Sequence, residues 1–244
     1  MGAYRPGGFV AERIEPVSLK ASPDRLYGRQ RTHALRPRQR LLLAETLPRM
    51  RFSTPDDPGA CFAARPARIW LEVGFGGGEH ARALAAAHAD VGLIACEVFE
   101  QGLCSLLASL VAEGAEATGA LPGNLRIWDD DGRALLRALP EGCVDRLYLM
   151  FPDPWPKARH AKRRFVHPET LALAASRMRV GAEFRIASDD PTYQAWVAEI
   201  MDAQKLFRAE SVVTERPEGW PTTRYEAKAL QAERQPRYWV FSRV

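Results

Sequence analysis

Nowhere does this chain carry an apolar run approaching the roughly eighteen residues of a membrane span, and its N-terminus lacks the apolar stretch of a secretory signal. A soluble cytoplasmic protein is therefore expected, with no membrane contact. Cysteine is scarce: Cys61, Cys96, Cys104 and Cys143 are the only four, and none sits at C-x-x-C spacing from another. Three of them fall in or beside apolar segments, where a free thiol behaves as a small hydrophobe. Neither a disulfide framework nor a metal site is indicated. No internal repeat is present. What remains is an ordinary soluble composition, 26% charged and 46% hydrophobic, in 244 residues that can bury one sizeable core.

Charge is unevenly spread. Residues 1–50 hold ten Lys or Arg against four acids, whereas the rest of the chain holds 24 against 26. A basic arm on a near-neutral body suits a polyanionic partner. For residues 1–25, which mix Gly, Pro and charge without periodicity, a disordered leader accounts for the pattern equally well. Residues 26–66 read as a basic arm, a helix and a linker. Pro37 opens the helix, which runs through Leu47, and Pro48 ends it or starts a new turn. Beyond residue 67 the pattern alternates. Strands are expected at 68–73, 91–96, 125–128, 144–151 and 183–187, with helices at 79–88, 99–113, 133–139 and 168–179, and another opened by Asp190 and Pro191. Two late strands, 210–214 and 238–243, flank an irregular loop. This order predicts an α/β domain over 67–244 with a doubly wound, mostly parallel sheet and a C-terminal antiparallel strand pair.

In such sheets ligands bind outside the carboxyl ends of the strands. Those ends carry Glu72 and the turn Gly74-Phe-Gly-Gly-Gly78, then Glu97, then Asp129-Asp-Asp131, then Asp153. Glycines such as Gly74 and Gly76 let backbone turn sharply and approach a ligand. Glu97, nineteen residues past Gly78, stands where an acid can accept both hydroxyls of a ribose. A dinucleotide loop would place a third glycine where Glu79 stands. Extra carboxylates repel a pyrophosphate and suit the ammonium and sulfonium of S-adenosylmethionine, which is the cofactor expected. Glu72, Glu97 and Asp131 are its candidate contacts, while Asp129 and Asp130 read as solvated turn residues.

The densest chemistry lies in Met150-Phe-Pro-Asp-Pro-Trp-Pro-Lys-Ala-Arg-His-Ala-Lys-Arg-Arg164. One carboxylate, Asp153, sits between two prolines at the end of an apolar strand. Six basic or imidazole side chains follow: Lys157, Arg159, His160, Lys162, Arg163 and Arg164. A rigid acid beside a basic patch is what an enzyme needs to modify a base held on a polyanion. Trp155 either stacks on a nucleobase or packs against its own loop.

In Leu71-Glu-Val-Gly-Phe-Gly-Gly-Gly78, Phe151-Pro-Asp-Pro-Trp155 and its basic run, Ile186-Ala-Ser-Asp189 and Arg216-Pro-Glu-Gly-Trp-Pro-Thr-Thr-Arg-Tyr-Glu226, the chain resembles the bacterial tRNA (guanine-N7)-methyltransferases over about residues 26–244. The resemblance implies a Rossmann-like class I methyltransferase fold. It implies transfer of a methyl group from S-adenosylmethionine to N7 of a tRNA guanosine, at position 46 of the variable loop. It makes Asp153 the catalytic candidate and lines the cofactor pocket with Glu72, Glu97 and Asp131. Lys157, Asp189 and Thr223, Arg224, Tyr225 and Glu226 would contact the substrate, and Arg159–Arg164 the RNA. The triple acid Asp129-Asp-Asp131 departs from the family pattern and leaves the adenine-facing Asp unassigned. Two rivals differ in class: a methyltransferase acting on an amine, whose signature fits Pro152–Trp155 only loosely, and a non-enzymatic RNA-binding module, which would have lost the strand-end acids.

Overall fold

The computed structural model describes residues 33–244; the expected leader at 1–25 lies outside the described residues. Within these residues seven strands form one sheet: β1 (Arg68–Val73), β2 (Val91–Cys96), β3 (Leu125–Trp128), β4 (Val144–Met150), β5 (Met178–Ser188), β6 (Phe207–Val213) and β7 (Arg237–Arg243), in the spatial order β3-β2-β1-β4-β5-β7-β6. The first five pair in parallel, and β7 is antiparallel to both β5 and β6. Strands buried on both faces need apolar residues at every position, and β2 is buried throughout.

Among the described residues eight α-helices accompany the sheet: α1 (Pro37–Leu41), α2 (Leu47–Met50), α3 (Glu79–Ala87), α4 (Glu100–Leu110), α5 (Gly132–Ala138), α6 (Pro168–Arg177), α7 (Pro191–Asp202) and α8 (Arg224–Gln231). Two core layers result. Leu42, Leu47, Leu84, Leu103, Leu106 and Leu107 cover one face with Trp70, Leu93 and Tyr148. Leu135, Leu136, Leu171, Tyr193 and Val197 cover the other with Leu71, Ile94, Leu147 and Phe184. Asp190 caps α7 by accepting from Tyr193 N at 2.9 Å, as expected.

Two local readings are corrected, and of the two readings of Pro48 the second holds. Pro48 does not end the first helix but stands in the new turn of α2. A π-helical turn, Leu42–Thr46, precedes it and runs straight into α2. The wider π register spares the carbonyl that a proline ring would otherwise strike. Strand β5 starts at Met178, five residues early, because Met178 pairs with Val144 before a register shift. The loop after β6 contains α8, whose signal was present: Thr223 and Glu226 stand at capping-box spacing, and Thr223 Oγ1 accepts from Glu226 N at 2.9 Å.

The described part of the basic arm spends much of its charge internally. Arg38 pairs with Glu116 at 2.8 Å, Arg49 donates to the Gly119 carbonyl at 2.7 Å, and Arg51 pairs with Asp129 at 2.6 Å. Thr46 donates to the Glu116 carbonyl, and Phe52 N bonds Ile127 O beside the sheet edge. Those arginines fasten the arm to the domain.

Candidate active site

From β1 the chain winds outward through β2 and β3 on one side, and from β4 through β5 on the other. The crevice between the carboxyl ends of β1 and β4 is thus the switch point of the sheet. A cavity of ≈ 660 Å³ opens there, lined among others by Gly74, Gly76, Glu97, Asp131, Asp153 and Tyr225. At Gly74 (φ 73°) a side chain would meet nothing within 4 Å, so this stretch of backbone is open to a ligand. Gly76 and Gly77 are glycines for a different reason. A Cβ on Gly76 would come within 2.6 Å of Tyr225 Cε2, and one on Gly77 would collide with the Arg224 guanidinium. It is the protein's own helix α8, not a ligand, that crowds them.

The strand-end acids separate into distinct environments. Glu97, 9% exposed, accepts from Gly76 N at 2.7 Å, Val98 N at 2.8 Å and Phe99 N at 3.0 Å. It ties the glycine loop to the start of α4 and keeps little more than one of its roughly four lone-pair sites free. Burial pushes its carboxyl up; the three N–H donors pull it back, and the nearby Asp153 charge adds to the rise. Asp131 caps α5 through Arg133 N at 2.8 Å and pairs with the Arg133 guanidinium at 2.9 Å. Asp130, expected as a solvated turn residue, lines the cavity and accepts from Asp131 N at 2.7 Å. Asp129 turns away to Arg51. Glu72 departs from expectation: at 1% exposure it lies outside the cavity lining, its Oε2 3.1 Å from Nδ1 of the equally buried His80, whose ring meets Tyr148 edge-on. Side chains alternate along a strand, and that alternation points Glu72 into the layer beneath α3.

The loop after β4 is bent by two non-glycine residues in left-handed conformation, Phe151 (φ 51°) and Trp155 (φ 44°). Such residues cost on the order of 1–3 kcal/mol each and persist only where the surroundings enforce them. Between them Asp153 is exposed at the cavity rim. A short 3-10 turn, Ala158–Arg163, then presents Lys157 and Arg159 to solvent, with Lys162 half-buried. His160 meets Trp155 edge-on at 5.9 Å, and Arg163 lies over the same ring at 4.9 Å. Slight desolvation and the charges of Arg163, Arg159 and Lys157 lower the His160 pKa. Arg164 contradicts the expectation of a uniform RNA-facing run. It is 4% exposed, donates to the carbonyls of Pro154 and Trp155, and lies over Trp196.

Of the late substrate candidates, only Tyr225 lines the cavity. Thr223 is spent on the α8 cap. Glu226 is buried, accepting from Tyr238 Oη at 2.7 Å and pairing with Arg216 at 3.1 Å. Asp189 pairs with Arg234 at 2.6 Å. Arg224 reaches across to Glu79 at 2.6 Å and Ser105 at 3.0 Å, which fixes α8 on the glycine loop. No sequence signal links Arg224 to Glu79, 145 residues apart.

The cavity lining carries four carboxylates (Glu97, Asp130, Asp131, Asp153) and two guanidiniums (Arg133, Arg163). That balance favours a cationic ligand over a pyrophosphate. A family model described as "Putative methyltransferase" matches residues 66–237. The curated tRNA (guanine-N(7)-)-methyltransferase of Granulibacter bethesdensis is 63% identical over 228 residues, spanning 93% of this chain and 98% of that protein. Its namesake from Paramagnetospirillum magneticum is 42% identical over 242 residues, 96% of this chain and 99% of the relative. Among solved structures, the 16S rRNA methyltransferase KamB aligns with a TM-score of 0.53 at 18% identity, covering 74% of this chain and 89% of that one, a likeness of fold alone.

Proposed function

This chain belongs to the tRNA (guanine-N(7)-)-methyltransferase family, and from that premise we propose which residues of the cavity carry the reaction and which guanosine they serve. The enzyme transfers a methyl group from S-adenosylmethionine to N7 of a guanosine in tRNA. Our reading of the target is position 46 of the variable loop, supported by the loop motifs that the chain shares with its family. The substrate makes the cytoplasm the place of action, and no helix among the described residues is long and apolar enough to cross a membrane. Residues 67–244 are taken as the catalytic domain.

The cavity fits the cofactor on chemical grounds: an open Gly74 backbone, a net acidic lining and a carboxylate at Glu97 with one acceptor site left over from its three backbone bonds. Glu97 would use its remaining lone pair on the ribose, Asp130 and Asp131 would flank the adenine, and Gly74 and Gly76 would border the methionine end. Glu72 would act indirectly, by holding the turn through His80. When bound, S-adenosylmethionine supplies a methyl group on a positively charged sulfur.

Guanine N7 has an exposed lone pair and no proton, so no residue has to remove one before it attacks. The side chains are left with alignment and charge. Asp153, fixed at the rim between two prolines, can accept from the guanine N1 and N2 donors. It also stabilises the positive charge that the ring gains. Trp155 offers a face for stacking, worth about 1–3 kcal/mol per base, with Arg163 in place over the ring until RNA arrives. Lys157, Arg159 and Lys162 hold phosphates without reading sequence.

The observation that carries this reading is that one cavity at the sheet's switch point brings Glu97 and Asp153 together across the glycine loop. The test is incubation with methyl-labelled S-adenosylmethionine and bulk tRNA, followed by nuclease mapping of the labelled base. Label on N7 of G46, absent from a tRNA with adenosine there, is expected. Label on another atom or another position would refute it.

A further inference from the structure

We propose that Arg164 is a positioning residue for the Asp153 loop and not a phosphate contact, although it closes the basic run. This rests on Asp153 being the group that meets the guanine.

The loop has an unusual backbone inventory. Pro152, Pro154 and Pro156 contribute no N–H, so the segment has few backbone donors of its own. At its start Phe151 N is fixed to the Ala187 carbonyl at 2.8 Å, on the neighbouring strand β5. At its end the carbonyls of Pro154 and Trp155 need an outside donor, and Arg164 supplies both: Nε at 3.1 Å and Nη2 at 2.9 Å. The guanidinium itself lies over the ring of Trp196 on α7, its Cζ 4.6 Å from the ring centroid. Trp196 is fixed in turn by donating from Nε1 to the Val166 carbonyl at 2.6 Å. Burial lowers the Arg164 pKa, offset in part by the charges of Asp190, the cap of α7, and Glu199 within it. A residue 4% exposed that spends Nε and Nη2 on the loop carbonyls offers little surface to a phosphate.

The fork therefore fixes the loop on the far side of Asp153 from the sheet. Both left-handed residues, Phe151 and Trp155, lie at these two points of attachment. A planar fork gripping two carbonyls cannot be replaced by the single ammonium of lysine, whereas a phosphate contact largely can. The two roles thus predict opposite outcomes for a conservative change.

The experiment compares Arg164→Lys, Arg164→Ala and Asp153→Asn in the full-length protein. Its measurements are single-turnover methylation at saturating tRNA and cofactor, tRNA affinity against salt, and calorimetric S-adenosylmethionine affinity. A misplacement of about 1 Å at a reacting group costs on the order of a hundredfold, so both Arg164 variants should slow the chemical step by about that factor. Their salt slope and cofactor affinity should match wild type. Added guanidinium ion should partly restore Arg164→Ala. If Arg164→Lys keeps the wild-type rate while Arg164→Ala flattens the salt slope by about one unit, the proposal is overturned. Should the Arg164 variants fail to fold, Trp196→Phe decides: it keeps the fork but loosens its seat, and an unchanged rate would count against positioning. If Asp153→Asn also reacts at the wild-type rate, it is the reading of Asp153 that fails; if Asp153→Asn is slow and Arg164→Lys is not, only the role of Arg164 falls.

Discussion

Replacing Lys157, Arg159 and Lys162 together by glutamine is the most direct probe of how tRNA is held. The structure selects these three from the run of six. Lys157 and Arg159 are exposed and Lys162 is half-buried, whereas Arg164 is internal and Arg163 lies over Trp155. Slight desolvation and the charges of Arg163, Arg159 and Lys157 lower the His160 pKa, so its imidazole is left out of this set. Each phosphate neutralised contributes about 0.7–0.9 to the log–log salt slope. Three contacts therefore amount to about 2–3 units. Each unit is worth about fourfold in affinity between 50 and 200 mM salt, so the variant should lose about 20- to 40-fold less affinity than wild type over that interval. Anisotropy of labelled tRNA across a potassium chloride series measures the slope directly, and calorimetry should find cofactor affinity unchanged. Acidification should charge the His160 imidazole and add up to about one unit of slope, at a higher pH in the variant because the Arg159 and Lys157 charges that lower its pKa are gone. A triple variant with the wild-type slope would show that these side chains are only solvated, and the tRNA path would have to be sought elsewhere.

Asp153→Asn should slow single-turnover methylation by about a hundredfold or more, the usual cost of one preorganised electrostatic contact, without a steep pH dependence near neutrality; a wild-type rate would remove Asp153 from the reaction. Glu97→Ala should weaken S-adenosylmethionine about ten- to a hundredfold and lower the melting temperature as well, since three backbone N–H groups lose their acceptor; unchanged calorimetric affinity in a folded variant would exclude it. Because burial raises the Glu97 pKa, cofactor affinity should fall on acidification at a pH above the ordinary glutamate range, and this loss should be absent from Glu97→Gln. The sign for stability is opposite: a raised carboxyl binds its proton more tightly when folded, so this group favours folding as pH falls through that window. Thr223→Ala should cost about 1 kcal/mol through the lost α8 cap, read as a melting shift of about 2–4 °C, and Thr223→Ser should restore it.

Much of the architecture was legible because its causes are local. β1, β2 and β3 begin and end where the apolar runs do, and Asp190-Pro191 marks the start of α7 as capping chemistry requires. Helix α8 stands where an irregular loop is expected, although Thr223 and Glu226 carry a local capping signal in their spacing. The π turn before Pro48 had no such signal, since it depends on Leu42, Leu47 and Met50 being packed against the sheet.

The sequence by itself determined the alternation of strands and helices, the acids at the strand ends, and the Pro152-Asp153-Pro154 loop with its basic run. Those features follow from periodicity, from glycine and proline stereochemistry, and from charge. Only the tertiary structure decided what each of these side chains faces. It turned Glu72 under the glycine loop to His80, paired Asp129 with Arg51, and placed Arg224 and Tyr225 on Gly76 and Gly77 from the other end of the chain. It also took Arg164 out of the basic run and put it to work beneath the loop. The physical reason is the same in each case. Residue type sets what a side chain can bond, but burial and the choice among partners depend on elements that meet only when the sheet is assembled.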